Sequence, residues 1–150
     1  MSGIVCAIRG GPGSRATVAQ AIALARDTGL PLHFLYVVNQ DFLFGTGHSP
    51  IPVLVERMRH MGESALSAAC ALASAQGVTA QEMVRYGHVE SEIVDLCRES
   101  GANYLVLGWP LNGDRENVFT QEFLKQFIQR IEKRIGVQVV LPSRDVKRDN

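Results

Sequence analysis

Short apolar runs alternate with helix-patterned segments along the whole chain, and this alternation constrains the fold more than any single motif. The runs are Ile4–Ile8, Leu32–Val38, Tyr104–Leu107 and Val137–Leu141, and Glu82–Tyr86 adds an alternating one. Apolar runs of four to eight residues suit strands buried on both faces, as in a parallel sheet. The alternating Glu82-Met83-Val84-Arg85-Tyr86 suits a strand with one less buried face, at a sheet edge. Between the runs, apolar residues recur every three or four positions. The first helix runs from Ser14 to about Asp27, with Val18, Ala21, Ile22 and Ala25 inward. The second spans about Val53 to Ala75, with Leu54, Met58, Met61, Ala65, Ala68 and Leu72 on the expected core face. Val89–Ser100 buries Ile93, Leu96 and Cys97. About Thr120–Ile135 repeats Phe123, Phe127, Ile131 and Ile135, with Leu124 and Ile128 beside them. Gly29, Gly77, Gly101 and Gly136 follow these segments as left-handed caps. The order β-α-β-α-β-α-β-α-β predicts one doubly wound α/β domain over 1–142, with helices on both faces of a parallel sheet. A polar tail, 143–150, follows.

Composition narrows the function. The chain has 150 residues, about one domain, enough to bury roughly 70% of its unfolded surface. Fifteen basic and fifteen acidic side chains cancel, so there is no electrostatic case for nucleic acid or an anionic membrane. Met1-Ser2-Gly3 leads straight into an apolar run too short for a secretory leader or a membrane span. Cys6, Cys70 and Cys97 are odd in number and lie in apolar patterns, as buried thiols of a reducing cytoplasm would.

In an open parallel sheet, ligands bind at the carboxyl ends of the strands, where chain order reverses. Two loops are candidates. Arg9-Gly10-Gly11-Pro12-Gly13-Ser14 follows the first strand. Its glycines would let the backbone approach an anion at a helix N-terminus, although a plain βα turn explains it as well. It is neither a Walker loop nor a dinucleotide fingerprint: no lysine lies nearby and position 16 is Ala16. Gly108 opens the second loop, which carries Trp109, the only tryptophan, and Gly113, Asn117 and Val118. No catalytic constellation stands out. His33, His48, His60 and His88 are scattered without metal-ligand spacing, and no nucleophile turn of the Gly-x-Ser-x-Gly type occurs. Asn39–Pro52 is a long connection containing Phe42, Leu43 and Phe44, which tuck against a neighbouring surface or line an interface.

Taken in order, these residues resemble the universal stress protein family. The resemblance covers about Gly3–Leu141. It rests on Ile4–Ile8 with its short loop and on Leu32–Val38 before a long connection. The helix start Tyr86-Gly87-His88-Val89-Glu90-Ser91-Glu92-Ile93-Val94 carries it too, as do Ser100-Gly101-Ala102-Asn103-Tyr104-Leu105-Val106-Leu107-Gly108 and the terminal Val137-Gln138-Val139-Val140-Leu141. It implies a five-stranded parallel sheet in order 3-2-1-4-5. It also implies a cytoplasmic homodimer formed through the last strand, at Val137, Val139 and Leu141. The implied ligand site comprises Arg9, Gly10, Val37, Val38, Gly108, Gly113, Asn117 and Val118. The ATP-binding branch carries Gly-x-x-Gly-x9-Gly-Ser/Thr after the fourth strand. Here Gly108 supplies the first glycine, Leu111 stands at the second, Gly113 comes two residues late, and no Gly-Ser or Gly-Thr follows. Arg9 stands where ATP binders carry a ribose-contacting aspartate, and an arginine can only donate. The resemblance therefore implies a non-catalytic stress-response protein with a degenerate ATP loop, no required cofactor and no metal. The alternative is a member that binds ATP, another nucleotide or a small anion through a modified loop.

Overall fold

A computed structural model describes residues 3–9, 14–39, 52–108 and 121–142. Within them five strands, β1 (Ile4–Ala7), β2 (Leu32–Asn39), β3 (Ala80–Gly87), β4 (Tyr104–Val106) and β5 (Gln138–Val140), alternate with four helices. These are α1 (Ser14–Thr28), α2 (Pro52–Ala75), α3 (Val89–Ser100) and α4 (Gln121–Ile135). All strand pairings are parallel, in the order β3-β2-β1-β4-β5. The expected architecture and order are therefore observed.

β1 lies at the centre and splits its side chains between two cores, as a period of two requires. Ile4, Cys6 and Ile8 join Phe34, Tyr36, Val38 and Val106 under α1 and α2. Val5 joins Leu35, Leu105 and Leu107 under α3 and α4. Expected boundaries hold to within a residue or two. β3, Ala80–Gly87, pairs residue by residue with β2, so its ladder starts two residues before and ends one residue after the alternating segment. It is an edge strand, as its alternation implies. Its Arg85 is half-buried and ion-paired to Glu92 and Glu99 of α3. That guanidinium holds the Glu99 carboxyl below its ordinary range. Gly29, Gly77, Gly101 and Gly136 all take positive φ. At Gly101 (φ 66°) the chain turns back so that Ala102 N–H donates to Cys97 O at 3.0 Å, closing α3.

The expected core face of α2 needs correction. Leu54, Met61 and Leu72 are 38%, 58% and 49% exposed, and Ala68 is exposed too. Gly62, Leu66, Ala69 and Ala73 face the sheet instead. Small residues dominate this inward stripe, so its hydrophobic signal is weak. They are inward because the helix packs close: a Cβ on Gly62 would lie 2.5 Å from a ring carbon of Tyr36. Only Met58 and Ala65 of the expected stripe pack against the core.

The cysteines are free, with Cys6 and Cys97 buried and Cys70 half-buried. Burial pushes the Cys97 thiol up to about 12 and raises Cys6 further. Thiolates are the nucleophilic form. Iodoacetamide at pH 8 is thus expected to leave Cys6 and Cys97 intact in the native protein and to label Cys70 slowly. Peptide mass spectrometry reads this directly, and rapid native labelling of Cys97 would contradict its placement.

The other edge, β5, is short. Gln138 N–H donates to Asn103 O at 2.9 Å, and Val140 O accepts from Leu107 N–H at 3.0 Å, so these residues face β4. Val139 faces outward, and its N–H donates to Glu132 Oε2 of α4 at 3.0 Å. The expected dimer residues divide accordingly. Val137 is buried in the core of the chain itself, whereas Val139 and Leu141 are half-buried at the edge.

Candidate functional site at the switch point of the sheet

Chain order reverses between β1 and β4, so the crevice at their carboxyl ends is the place the topology reserves for a ligand. Four of the expected site residues lie within the described part. Arg9 is exposed, two residues beyond β1. Gly108 is half-buried, two residues beyond β4. The pairing Cys6↔Val106 aligns the two strand ends, which brings the starts of both loops together. Val37 and Val38 lie near the carboxyl end of β2. Val38 points into the core under α1 and α2, so only its backbone can serve a ligand. Val37 is half-buried on the other face. Gly10, Gly113, Asn117 and Val118, with Trp109, lie outside the described residues, as do the 40–51 connection and the 143–150 tail.

A residue not singled out by sequence, Thr17, completes the arrangement. It lies in the first turn of α1, is 2% exposed, and its carbonyl faces Cys6 Sγ at 3.9 Å. A Cβ built on Gly108 would stand 2.5 Å from Thr17 Oγ1. The start of the β4 loop is therefore pressed against the N-terminal turn of α1, and only glycine leaves room for the hydroxyl. The available signal was a threonine placed one residue before the apolar stripe of α1. That helix has no acidic side chain in its first turn, so nothing there offsets the partial positive charge of its N-terminus. Arg9, the α1 N-terminus and Gly108 thus stand at the same end of the sheet, and a helix N-terminus beside a cation can hold an anionic group.

Among the described residues, no group of three His, Cys, Asp or Glu side chains could hold a metal ion. No helix among them is long and apolar enough to cross a membrane. His88 occupies the N-cap of α3 in extended backbone, and its carbonyl accepts Glu92 N–H at 3.0 Å, consistent with a turn role. A cavity of about 570 Å³ opens at the opposite, amino end of the sheet, among Arg26, His33, Thr79 and Gln81. The buried Nδ1 of His33 has no hydrogen-bond partner among the described residues.

Several solved structures share this fold. A protein of the universal stress protein family from Burkholderia pseudomallei is 23% identical, with a TM-score of 0.70, covering 93% of this chain and 96% of that one. The universal stress protein from Archaeoglobus fulgidus in complex with dAMP is 16% identical, with a TM-score of 0.66 and coverages of 95% and 98%. A universal stress protein in complex with cAMP is 19% identical, with a TM-score of 0.63 and coverages of 95% and 96%. No curated protein matches the chain. The sequence model of the universal stress protein family matches residues 1–132. That match spans β1 through most of α4, including both strand ends that form the crevice, and the chain belongs to the universal stress protein family.

Proposed function

We propose that this protein is a non-catalytic stress-response protein of the cytoplasm whose switch-point crevice takes a nucleotide with a short phosphate chain. The observation that carries this reading is the packing of Gly108 against Thr17 in the first turn of α1, at the sheet end where Arg9 leaves β1. A triphosphate needs the second glycine and the hydroxyl that the loop lacks at Leu111 and beyond. A monophosphate needs fewer contacts, and two related structures hold dAMP and cAMP. Arg9 replaces a ribose-facing acceptor with a donor, which suits a phosphate oxygen. ATP binding through the altered loop is the alternative. Homodimerisation through β5 belongs to the same reading, with Val139 and Leu141 at the contact and Glu132 giving up the Val139 N–H to the partner strand.

Equilibrium dialysis against labelled AMP, cAMP and magnesium-ATP tests it. The expected order is AMP or cAMP ahead of ATP. Arg9→Ala should weaken binding by about tenfold to a hundredfold, since a charge-assisted hydrogen bond contributes about 1.5–3 kcal/mol. Gly108→Ala should weaken it as well, and Thr17→Ala in the same chain should recover part of the loss by restoring room. Retention of none of the three at millimolar concentration would retire the nucleotide reading and leave a protein acting through partners alone.

A further inference from the structure

The second helix has two apolar faces, and the fold uses one. Gly62, Leu66, Ala69 and Ala73 lie on the sheet. About a third of a turn away run Leu54, Met61, Ala68 and Ala75, seven residues apart, with Val53 and Leu72 alongside; all are exposed. The charged side chains Glu56, Arg59 and Glu63 lie to the other side and pair with one another along the helix. Arg57 is the only charged residue within the outer stripe. An apolar stripe along one exposed helix face is a surface on which a second helix can seat.

We infer that this stripe is the contact by which a second copy of the chain docks, α2 against α2 in antiparallel orientation about a two-fold axis near Ser64 and Ala65. Size and charge both select this occupant. The stripe is bulky in its first half (Val53, Leu54, Met61), and its second half is small (Ala68, Ala71, Ala75) apart from Leu72. About an axis between Ser64 and Ala65, Leu54 meets Ala75 of the partner subunit and Met61 meets Ala68 of the partner subunit. Leu54 and Met61 then each face an alanine, and the contact is self-complementary, as a two-fold interface must be. The same axis sets Arg57 beside Leu72 of the partner subunit. Its stem covers that leucine while its head reaches the last turn of the partner helix. The helix carries no acidic residue in its first turn and no basic residue in its last, so neither end of its dipole is offset within the helix. Antiparallel pairing sets opposite ends side by side and brings a cation to each carboxyl end. A parallel pair would align like ends and set large against large.

The strip is about 36 Å long and ~10 Å wide, well under the ~800 Å² per partner of a standard interface. The contact is accordingly weak and reversible. It is separate from any pairing through β5, because α2 packs on β2 and β3, at the opposite side of the sheet.

Two measurements on the full chain test it together. Sedimentation velocity from ~10 µM to ~1 mM should show a reversible association step, of single chains or of β5 pairs, weakened at least tenfold by Met61→Lys and by Leu72→Glu. Met61 and Leu72 are exposed, so both variants should fold, which circular dichroism checks. Nitroxide labels at Ser64→Cys, in a Cys70→Ser background, should come within ~20 Å of each other in the dimer. Labels at Ser74→Cys should stand ~30 Å apart, from the rise of the helix. Failure of the β5 dimer would leave these results unchanged. A strict monomer at ~1 mM overturns the inference. So does association that Met61→Lys leaves unchanged at every concentration, or association in which no pair of Ser64 labels comes within ~20 Å or both label pairs are close (a parallel pair).

Discussion

Phe34→Ala is expected to lower the stability of the protein by about 3–5 kcal/mol. Phe34 is fully buried in β2, where it lies between Cys6 of β1 and Glu82 of β3 in the ladder. It belongs to the buried cluster that also holds Ile4, Ile22, Leu66 and Val106, between the sheet and helices α1 and α2. Truncation removes the transfer free energy of the ring and leaves a cavity that strands held by hydrogen bonds on both sides cannot collapse to fill. A domain of this kind holds about 5–15 kcal/mol in all, so a third or more of the stability would go. Urea titration is the direct measurement: the midpoint should fall with little change in slope. Phe34→Leu keeps most of the volume and should cost much less. A loss below ~1 kcal/mol in the alanine variant would show that the ring does not occupy the centre of this layer.

Gly62→Ala is the second large effect, and its sign is opposite to what helix propensity alone gives. In an exposed helix interior, alanine is worth about 1 kcal/mol over glycine. Here the new methyl would sit 2.5, 2.8 and 2.9 Å from three carbons of the Tyr36 ring, and the ring is itself 6% exposed. Either α2 lifts from the sheet or Tyr36 leaves its rotamer, at a typical cost of about 1–3 kcal/mol. The melting temperature should drop by about 2–4 °C per kcal/mol lost. A double-mutant cycle with Tyr36→Leu isolates the cause. With the ring gone, Gly62→Ala should turn neutral or stabilising. If the single variant melts higher than the parent, the close approach of helix and ring is wrong.

These two sites also show what was legible in the sequence. Phe34 stands in Phe34-Leu35-Tyr36-Val37-Val38, an uninterrupted apolar run that reads directly as a buried strand, and β1 and β4 read the same way. Alternation with amphipathic helices then fixed the layers, and the family resemblance supplied the strand order. Gly62 shows the opposite case. On hydrophobicity the large side chains Leu54, Met61 and Leu72 outweigh Gly62, Ala69 and Ala73, which centres the expected stripe about a quarter of a turn from the inward face. Closeness of packing, which favours small residues, is a property of the assembled pair of layers and leaves little mark on one helix. Thr17 was hidden for a related reason. Its role depends on Gly108, far away in sequence, and contact between a helix start and a distant strand end follows only from the topology. The edge of β5 was legible as apolar, but not its cap: Glu132 lies seven residues before Val139 and reaches it only because α4 folds back along the strand.

β1 contributes adjacent residues to opposite layers: Val5 to the one under α3 and α4, Cys6 to the one under α1 and α2. It also exchanges backbone hydrogen bonds with a strand on each side. The two halves of the molecule therefore share one structural spine and cannot melt one at a time. In native-state hydrogen exchange, the amides of β1 and those of β2 and β4 bonded to it should open only with global unfolding. They should do so with one common free energy, whichever layer a probe reports. The amides of β3, bonded along one side, should exchange by smaller openings.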